Sequence, residues 1–354
     1  MLRLSLALTL LCLTATAQEL VFPQPPEGNT HGTLPGVWQS RRAQILLPSS
    51  RLTALANHTV EALTFRRDGR LSASLPGGSF DLTLQLATSS RAPREASPAF
   101  ADNLTSAATV FTGRIAVPAA PPISGSASLS YPLHTIHIPF TVGFAYTAGT
   151  LVLDLHGNNP SAPNDLWPVD YALDRHNAVA TTRGVGCGRW SAPRGETAAV
   201  AHEQLLPGGT ARCVTWTNAY SPALLILGVI PTSFDLSAFG ATGCHLYADP
   251  MVTLLTAAAD RGSGPGIANL RLQLPAVDQL LGSSLIAQWA HLEVGTASNP
   301  LGLTTSNALD LTLATSLPTL GSAMVTSLPT TGQAVPTHGD VSFSRAPVLR
   351  LSYR

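Results

Sequence analysis

The chain contains no lysine: its 20 basic residues are all arginine, and 20 acidic residues balance them. Charged residues make up only 11% of the 354 residues. Binding to nucleic acid or to an anionic membrane surface depends on a concentrated basic patch, and no basic run is present. The composition therefore predicts a protein without a nucleic-acid partner.

Long hydrophobic runs are also missing beyond the first residues. No later stretch reaches the roughly 18 apolar residues that a membrane-spanning helix needs. Residues 1–17 combine a basic Arg3, an apolar run from Leu4 to Leu13, and the small residues Ala15 and Ala17. This is the pattern of a secretory signal peptide, so we expect a secreted or cell-surface protein with no integral membrane segment.

Cysteine is scarce, with four in the chain. Cys12 lies in the predicted signal peptide, which leaves Cys187, Cys213 and Cys244 in a compartment where disulfides persist. Three cysteines allow one bridge and one spare thiol. They are 26 and 31 residues apart and form no CxxC pair, so their spacing is not that of a zinc site.

Amphipathic helical patterns are nearly absent, and an alternation of apolar and polar residues dominates. Only 97–104 and 275–282 indicate helices, of about two turns each. The clearest alternation places Phe80, Leu82, Leu84 and Leu86 on one strand face. Similar runs separated by Gly, Pro, Asn and Ser are typical of β-sandwiches. The predicted fold class is all-β, with two jelly-roll or Ig-like β-sandwich domains in tandem.

The strand pattern weakens between 178 and 209, which places the domain boundary near Arg183. We expect an N-terminal sandwich over 18–182, a C-terminal sandwich over 183–314, and a Thr/Ser/Pro connector with a terminal strand over 315–354. The connector is either a stalk or a loop that returns the terminal strand to a sheet. The second interpretation is favoured because Leu349, Leu351 and Tyr353 need a sheet to bury them. The same strand is also a candidate for pairing with a neighbouring chain.

The most polar stretch is 151–176. Asp165, Asp170 and Asp174 supply the oxygen donors that calcium prefers, although their spacing is not that of an EF-hand. Clusters of Asp, Asn and Pro also form ordinary turns, so we expect a hairpin-end loop, with a calcium site as the alternative. Trp167 and Tyr171 in the same stretch are the candidates for an exposed ligand-binding platform.

Catalytic motifs are missing. The sequence has no G-x-S-x-G elbow, H-E-x-x-H pair, Walker A loop or dinucleotide fingerprint. His134 and His137 are three residues apart on a predicted strand, which directs them to opposite faces. We therefore expect no catalytic residue, no enzyme activity, and no cofactor other than the possible calcium ion.

Five phrases carry a resemblance to a known family, and they occur in the family's order: VEALTFRRDG, IPFTVGFAYTAGTLVLDLHGNN, WPVDYALD, GVGCG and SPALLILGVIPTSFDLSAFGATGCHLYADP. The chain resembles, from Val60 to Leu313, a family of uncharacterised secreted β-rich proteins of planctomycetes and related marine bacteria. The resemblance implies two successive β-sandwich modules without a recognised catalytic constellation. It also implies a bridge between Cys187 and Cys244. Cys213 departs from the family's pattern, which leaves a Cys187–Cys213 bridge open.

Export, low charge and abundant Thr, Ser and Asn on predicted strand surfaces favour one function above others. We expect an exported, non-catalytic protein with a cell-envelope, extracellular-matrix or adhesive structural role, self-assembling or binding other envelope proteins through edge strands. One alternative is a carbohydrate-binding protein with a glycan ligand. A second is a secreted hydrolase with an unrecognised site.

Overall fold

The structure is a computed structural model that describes residues 17–24, 28, 30–35, 41–69, 73–123, 127–158, 168–174, 176–188, 198–200, 205–260, 262, 265–293, 299–327 and 335–354. Residues 1–16 of the predicted signal peptide lie outside the described residues. The strands of the first half are β1 (Gln18–Phe22), β2 (Thr30–Gly32), β3 (Arg41–Leu47), β4 (His58–Arg66), β5 (Gly78–Ser89), β6 (Thr105–Val117), β7 (Thr135–Tyr146), β8 (Thr150–Asn158), β9 (Val169–Leu173) and β10 (Val179–Arg183).

The strands of the second half are β11 (Ala198–Val200), β12 (Thr210–Thr217), β13 (Pro222–Gly228), β14 (Pro231–Asp235), β15 (His245–Ala248), β16 (Val252–Ala257), β17 (Gly266–Gln273), β18 (Ser284–Leu292), β19 (Leu303–Thr312), β20 (Ala323–Thr326), β21 (Asp340–Ser342), β22 (Arg345–Pro347) and β23 (Leu349–Tyr353). The predicted all-β class is therefore confirmed, and the sheets are consistent with sandwich-like domains.

The two predicted helices are wrong in type. Their segments contain single 3-10 turns, Phe100–Asn103 and Asp278–Leu280, rather than two α-helical turns. Segments of three or four residues form too few hydrogen bonds to offset the unfavourable nucleation of an α-helix, and strands begin or end within a few residues of them.

Two sheets face each other in the first sandwich. One has the order β1-β23-β4-β7 and the other the order β21-β20-β3-β8-β5-β6. The predicted apolar face of β5 lies between them: Phe80, Leu82, Leu84 and Leu86 are buried in one core with Leu63 and Phe65 of β4. A small third sheet, β2-β9-β22, contributes Val169 and Tyr171 to this core.

The end of the chain belongs to the first sandwich. β20 pairs with β3, β22 with β9, and β23 lies between β1 and β4, where Leu351 is in register with both Leu20 and Leu63. The expected return of the terminal strand to a sheet is confirmed. Pairing of this strand with a neighbouring chain is wrong, because both of its edges are already hydrogen-bonded within the chain.

The second sandwich consists of a sheet β10-β19-β18-β13-β16 and a sheet β11-β12-β17. Leu225, Trp289 and Leu311 from the first of these sheets pack with Cys213 and Ala268 from the second. The same cluster includes residues from the outer face of the six-stranded sheet of the first sandwich. Apolar packing therefore continues from the second sandwich onto the first.

The hairpin of β14 and β15 covers the other face of the five-stranded sheet. Gln288 of β18 holds it there: its amide oxygen accepts a hydrogen bond from the backbone N–H of Tyr247, and its amide nitrogen donates to the carbonyl of His245. A buried side-chain amide that is satisfied in this way fixes the position of the segment it binds. The hairpin is therefore a defined part of the surface of the second sandwich.

Candidate functional site

The predicted calcium ligands do not form one site in the part of the chain that the structure describes. Asp165 lies outside the described residues. Asp170 is buried, and its Oδ2 accepts hydrogen bonds from Nε (2.9 Å) and Nη2 (2.5 Å) of Arg66. Four residues of extended chain separate Asp170 from Asp174 by about 13 Å, too far for both carboxylates to bind one ion. No described group of three or more acidic, His or Cys residues is arranged to hold a metal. A calcium site at Asp165 stays a prediction.

Asp174 lies at a cavity of about 350 Å³ near the end of β9. Its Oδ2 accepts hydrogen bonds from the backbone N–H and hydroxyl of Thr319 and from the N–H of Leu320. On the same cavity wall, Nη2 of Arg51 donates to the carbonyl oxygen of Thr319. The two charged groups therefore hold the returning chain segment against the first sandwich.

The expected exposed platform is not formed by Tyr171, and this part of the prediction is wrong. Tyr171 is 3% exposed, because it lies on the middle strand β9 between β2 and β22. Its ring packs against Gly32 and lies 5.6 Å from the guanidinium of Arg345. Trp167 is outside the described residues. Trp289 of β18 is buried in the second core, so it does not form such a platform either.

The cysteine pairing implied by the family resemblance is confirmed: Cys187 and Cys244 form a disulfide, and the alternative Cys187–Cys213 is wrong. The bridge joins the segment after β10 to the residue immediately before β15. The backbone N–H of Cys187 also donates to the carbonyl of Thr305 on β19. Cys213 is a buried free thiol whose pKa is raised to about 12 by burial.

A buried polar cluster, which sequence analysis did not select, lies inside the second sandwich. Nε2 of His291 is 3.1 Å from Oγ1 of Thr215, and the hydroxyl of Thr217 donates to Oε1 of Glu293. A hydroxyl next to an imidazole is the pairing used in nucleophilic catalysis. Here the His291 residue is only 4% exposed and Thr215 is fully buried, so the pair is closed to a substrate.

This cluster predicts a pH-dependent stability. Burial lowers the pKa of His291 to about 4, while histidine in an unfolded chain titrates near 6.5. The contribution of the neutral ring is therefore complete above pH 6.5 and decreases by about 3 kcal/mol as the pH falls from 6.5 to 4. In urea unfolding at pH 7, 5.5 and 4.5, His291→Gln should lose this part of the pH dependence. Parallel stability profiles of the two proteins would contradict the prediction.

Large apolar side chains are exposed on the second sandwich, where β13 ends and β16 begins. We call this surface the apolar corner. Its members are between 49% and 69% exposed, and they adjoin because Met251 bonds to Leu227 and Asp249 to Ile230 through the backbone. Their summed exposed area is on the order of 500 Å², within the range of the largest apolar patches on monomeric proteins, which are often functional. The corner comprises Val229, Ile230, Met251, Val252 and Leu255.

β16 forms an open edge beside the apolar corner. It pairs with β13 on one side, over Val252–Ala257, without a register shift. Among the described residues, none outside β13 forms a backbone hydrogen bond with this strand. Its sequence, VTLLTA, has no charge and no proline. Natural proteins usually protect an edge strand with a charge, a proline or a bulge, and β16 has none of these.

Two other edge strands, β6 and β10, carry such protection. β6 pairs with β5 through two register shifts, and the hydroxyl of Thr141 on β7 donates to the carbonyl of Val110 on its other side. β10, at the opposite edge of the sheet from β16, is five residues long and ends at Arg183, which forms an ion pair with Asp310. Bulges, short length and charges all disfavour edge pairing. β16 is therefore a better candidate for interaction than β6 or β10.

Sequence analysis missed the β16 segment because its leucines are adjacent and do not alternate with polar residues. A usable signal was present: the run between Pro250 and Asp260 contains no charge and no proline and includes the β-formers Val252, Thr253 and Thr256, features of segments that pair edge to edge.

No protein-family model matches this chain, and no curated protein is significantly similar to it. The resemblance to secreted β-rich proteins therefore stays a prediction. None of the described helices is long and apolar enough to cross a membrane. The Cys187–Cys244 disulfide is compatible with an extracellular protein.

Proposed function

We propose that this chain is an exported, non-catalytic structural protein of the cell envelope or extracellular matrix that assembles through the second sandwich. The observation that carries the proposal is the unprotected edge of β16 beside the apolar corner. Edge-to-edge strand addition is a recurring means by which β-proteins join other chains. The disulfide and the signal-peptide pattern of residues 1–17 support an extracellular location.

Fractionation of cells that produce the full chain tests the location. We expect the protein in the envelope fraction or the medium, with a mature N-terminus after Ala17 in intact-mass analysis. Leu8→Arg interrupts the apolar run of the signal peptide and should retain the protein inside the cell. Accumulation of uncleaved wild-type protein in the cytoplasm would overturn export.

Two assays on the same purified protein distinguish a structural function from carbohydrate binding. We expect sedimentation to show concentration-dependent association and pull-downs to show no retention on insoluble polysaccharides. Retention on a polysaccharide without self-association would favour the carbohydrate-binding alternative.

A further inference from the structure

We propose that two copies of this protein join through β16, which pairs antiparallel with its own copy about a twofold axis at Thr253. The two five-stranded sheets would then form one continuous sheet of ten strands. This inference rests on the proposed assembly function and specifies its partner and its geometry.

The hydrogen-bonding capacity of β16 supports pairing. One edge of the strand is occupied by β13 from Val252 to Ala257, and the other edge has no backbone partner among the described residues. An added antiparallel strand satisfies these amide and carbonyl groups in the way that the existing ladder does. Thr253 is exposed, so its side chain leaves room for an approaching strand.

The faces of the strand restrict the possible registers. Thr253 and Leu255 lie on the face of Ile226 and Leu224, which the hairpin partly covers. Leu254, on the opposite face, packs against the second core, and Val252 on that face is 49% exposed. A twofold axis perpendicular to the sheet keeps each face continuous across the two copies. Residues that oppose each other must therefore belong to the same face.

The register centred on Thr253 fits the sequence around it. The side chain of Met251, a residue whose N–H already donates to Leu227 and Asp249, then opposes Leu255 of the second copy. Val252 opposes Leu254, and Thr253 opposes itself. The order of side chains is apolar, apolar, Thr, apolar, apolar, which reads the same in both directions. Apolar pairs and Thr–Thr pairs are both favourable across antiparallel strands. The most exposed apolar side chains, Leu255 (69%) and Met251 (62%), cover each other.

The uncharged sequence of β16 favours a second copy as the occupant. Residues 250–257 contain no charged side chain, so the strand meets its own copy without like-charge repulsion. Met251 and Leu255, 62% and 69% exposed, and the free backbone edge of β16 supply the area that the pair buries. A standard stable interface buries about 800 Å² per partner, so we expect this smaller contact to give a concentration-dependent dimer.

Cross-linking tests the register directly. In the proposed pairing, residue 253 faces itself with Cα atoms about 4.5–5.5 Å apart, within the range of a disulfide. Thr253→Cys should form a covalent dimer on mild oxidation of dilute protein. Val142→Cys is the matched control: Val142 is 62% exposed on β7, away from β16, and should remain monomeric on a non-reducing gel. The native free thiol, Cys213, is buried and does not compete.

Charge substitution tests whether the partner of β16 is β16 of a second copy. Thr253→Lys and Thr253→Glu each place two like charges opposite each other, so each should weaken dimerisation at least about 100-fold in sedimentation equilibrium. Mixing the two variants pairs Lys with Glu and should restore the dimer, which no folding defect would do. Val142→Lys should dimerise as the wild type does.

The outcomes separate this inference from the proposed function. If the wild type associates but Thr253→Lys and Thr253→Glu associate equally well, β16 is not the contact, and the inference is overturned while assembly stands. A wild-type protein that stays monomeric at high concentration overturns both. Efficient cross-linking of Thr253→Cys together with rescue on mixing establishes the twofold strand pair.

Discussion

Replacing Asp170 by alanine is expected to lower the free energy of unfolding by about 3–5 kcal/mol, because the substitution leaves the guanidinium of Arg66 charged, buried and without its carboxylate. Both side chains are less than 10% exposed, and two nitrogens of Arg66 bond to Oδ2 of Asp170. Urea unfolding of the two proteins measures the difference. An unchanged unfolding midpoint would show that the fold tolerates the buried charge of Arg66 without the carboxylate of Asp170.

The exposed pair Asp81–Arg114 provides the matched control. Its geometry is similar, with Nε and Nη2 of Arg114 at 2.9 and 3.2 Å from the two carboxylate oxygens, but both side chains are exposed. Surface ion pairs contribute little, so Asp81→Ala should leave the midpoint nearly unchanged. A double variant, Arg66→Met with Asp170→Leu, removes both buried charges and should recover most of the loss. Failure of that recovery would indicate that the shape of the pair, rather than its charge, matters.

This pair also illustrates what could not be predicted from the sequence. The sequence suggested Asp170 as a calcium ligand because Asp165 and Asp174 lie close to it along the chain. A single sequence shows only such neighbours along the chain, not the contacts made in the fold. Arg66, the partner of Asp170, is 104 residues away and meets it only because β4 and β9 come together in the first sandwich. Tyr171 is a similar case: its burial depends on β2 and β22 pairing on either side of β9.

The fold class was predictable because many strands show the alternation of apolar and polar residues within their own sequence. Phe80 to Leu86 could be assigned to one buried face from local alternation alone. The burial of Leu351 and Tyr353 was predictable for a related reason, since an exposed strand of this kind is unfavourable. Pairing order is not local information, and neither is the identity of the strand left at an edge. β16 is an edge strand because it comes last in the sheet order β10-β19-β18-β13-β16, and the sequence does not reveal that order.

Removing the disulfide is the second change with a large expected effect. Cys187 and Cys244 are 57 residues apart, and closing a loop of this length restricts the unfolded chain by about 4 kcal/mol on the chain-entropy account. The double variant Cys187→Ser with Cys244→Ser should therefore unfold at a lower urea concentration than the wild type. Because the bridge joins the segment after β10 to the start of β15, the hairpin of β14 and β15 should also become more accessible to proteolysis.

The free thiol supplies the control for this experiment. Cys213 is buried in the second core without a disulfide, so Cys213→Ser leaves the bridge intact and should keep the sensitivity to reducing agent. The double serine variant should lose that sensitivity, since no bridge remains to be reduced. If reductant leaves wild-type unfolding unchanged, the bridge does not restrain the unfolded chain. If the double variant is cleaved outside residues 231–248 first, the hairpin is held by Gln288 and its apolar contacts rather than by the bridge.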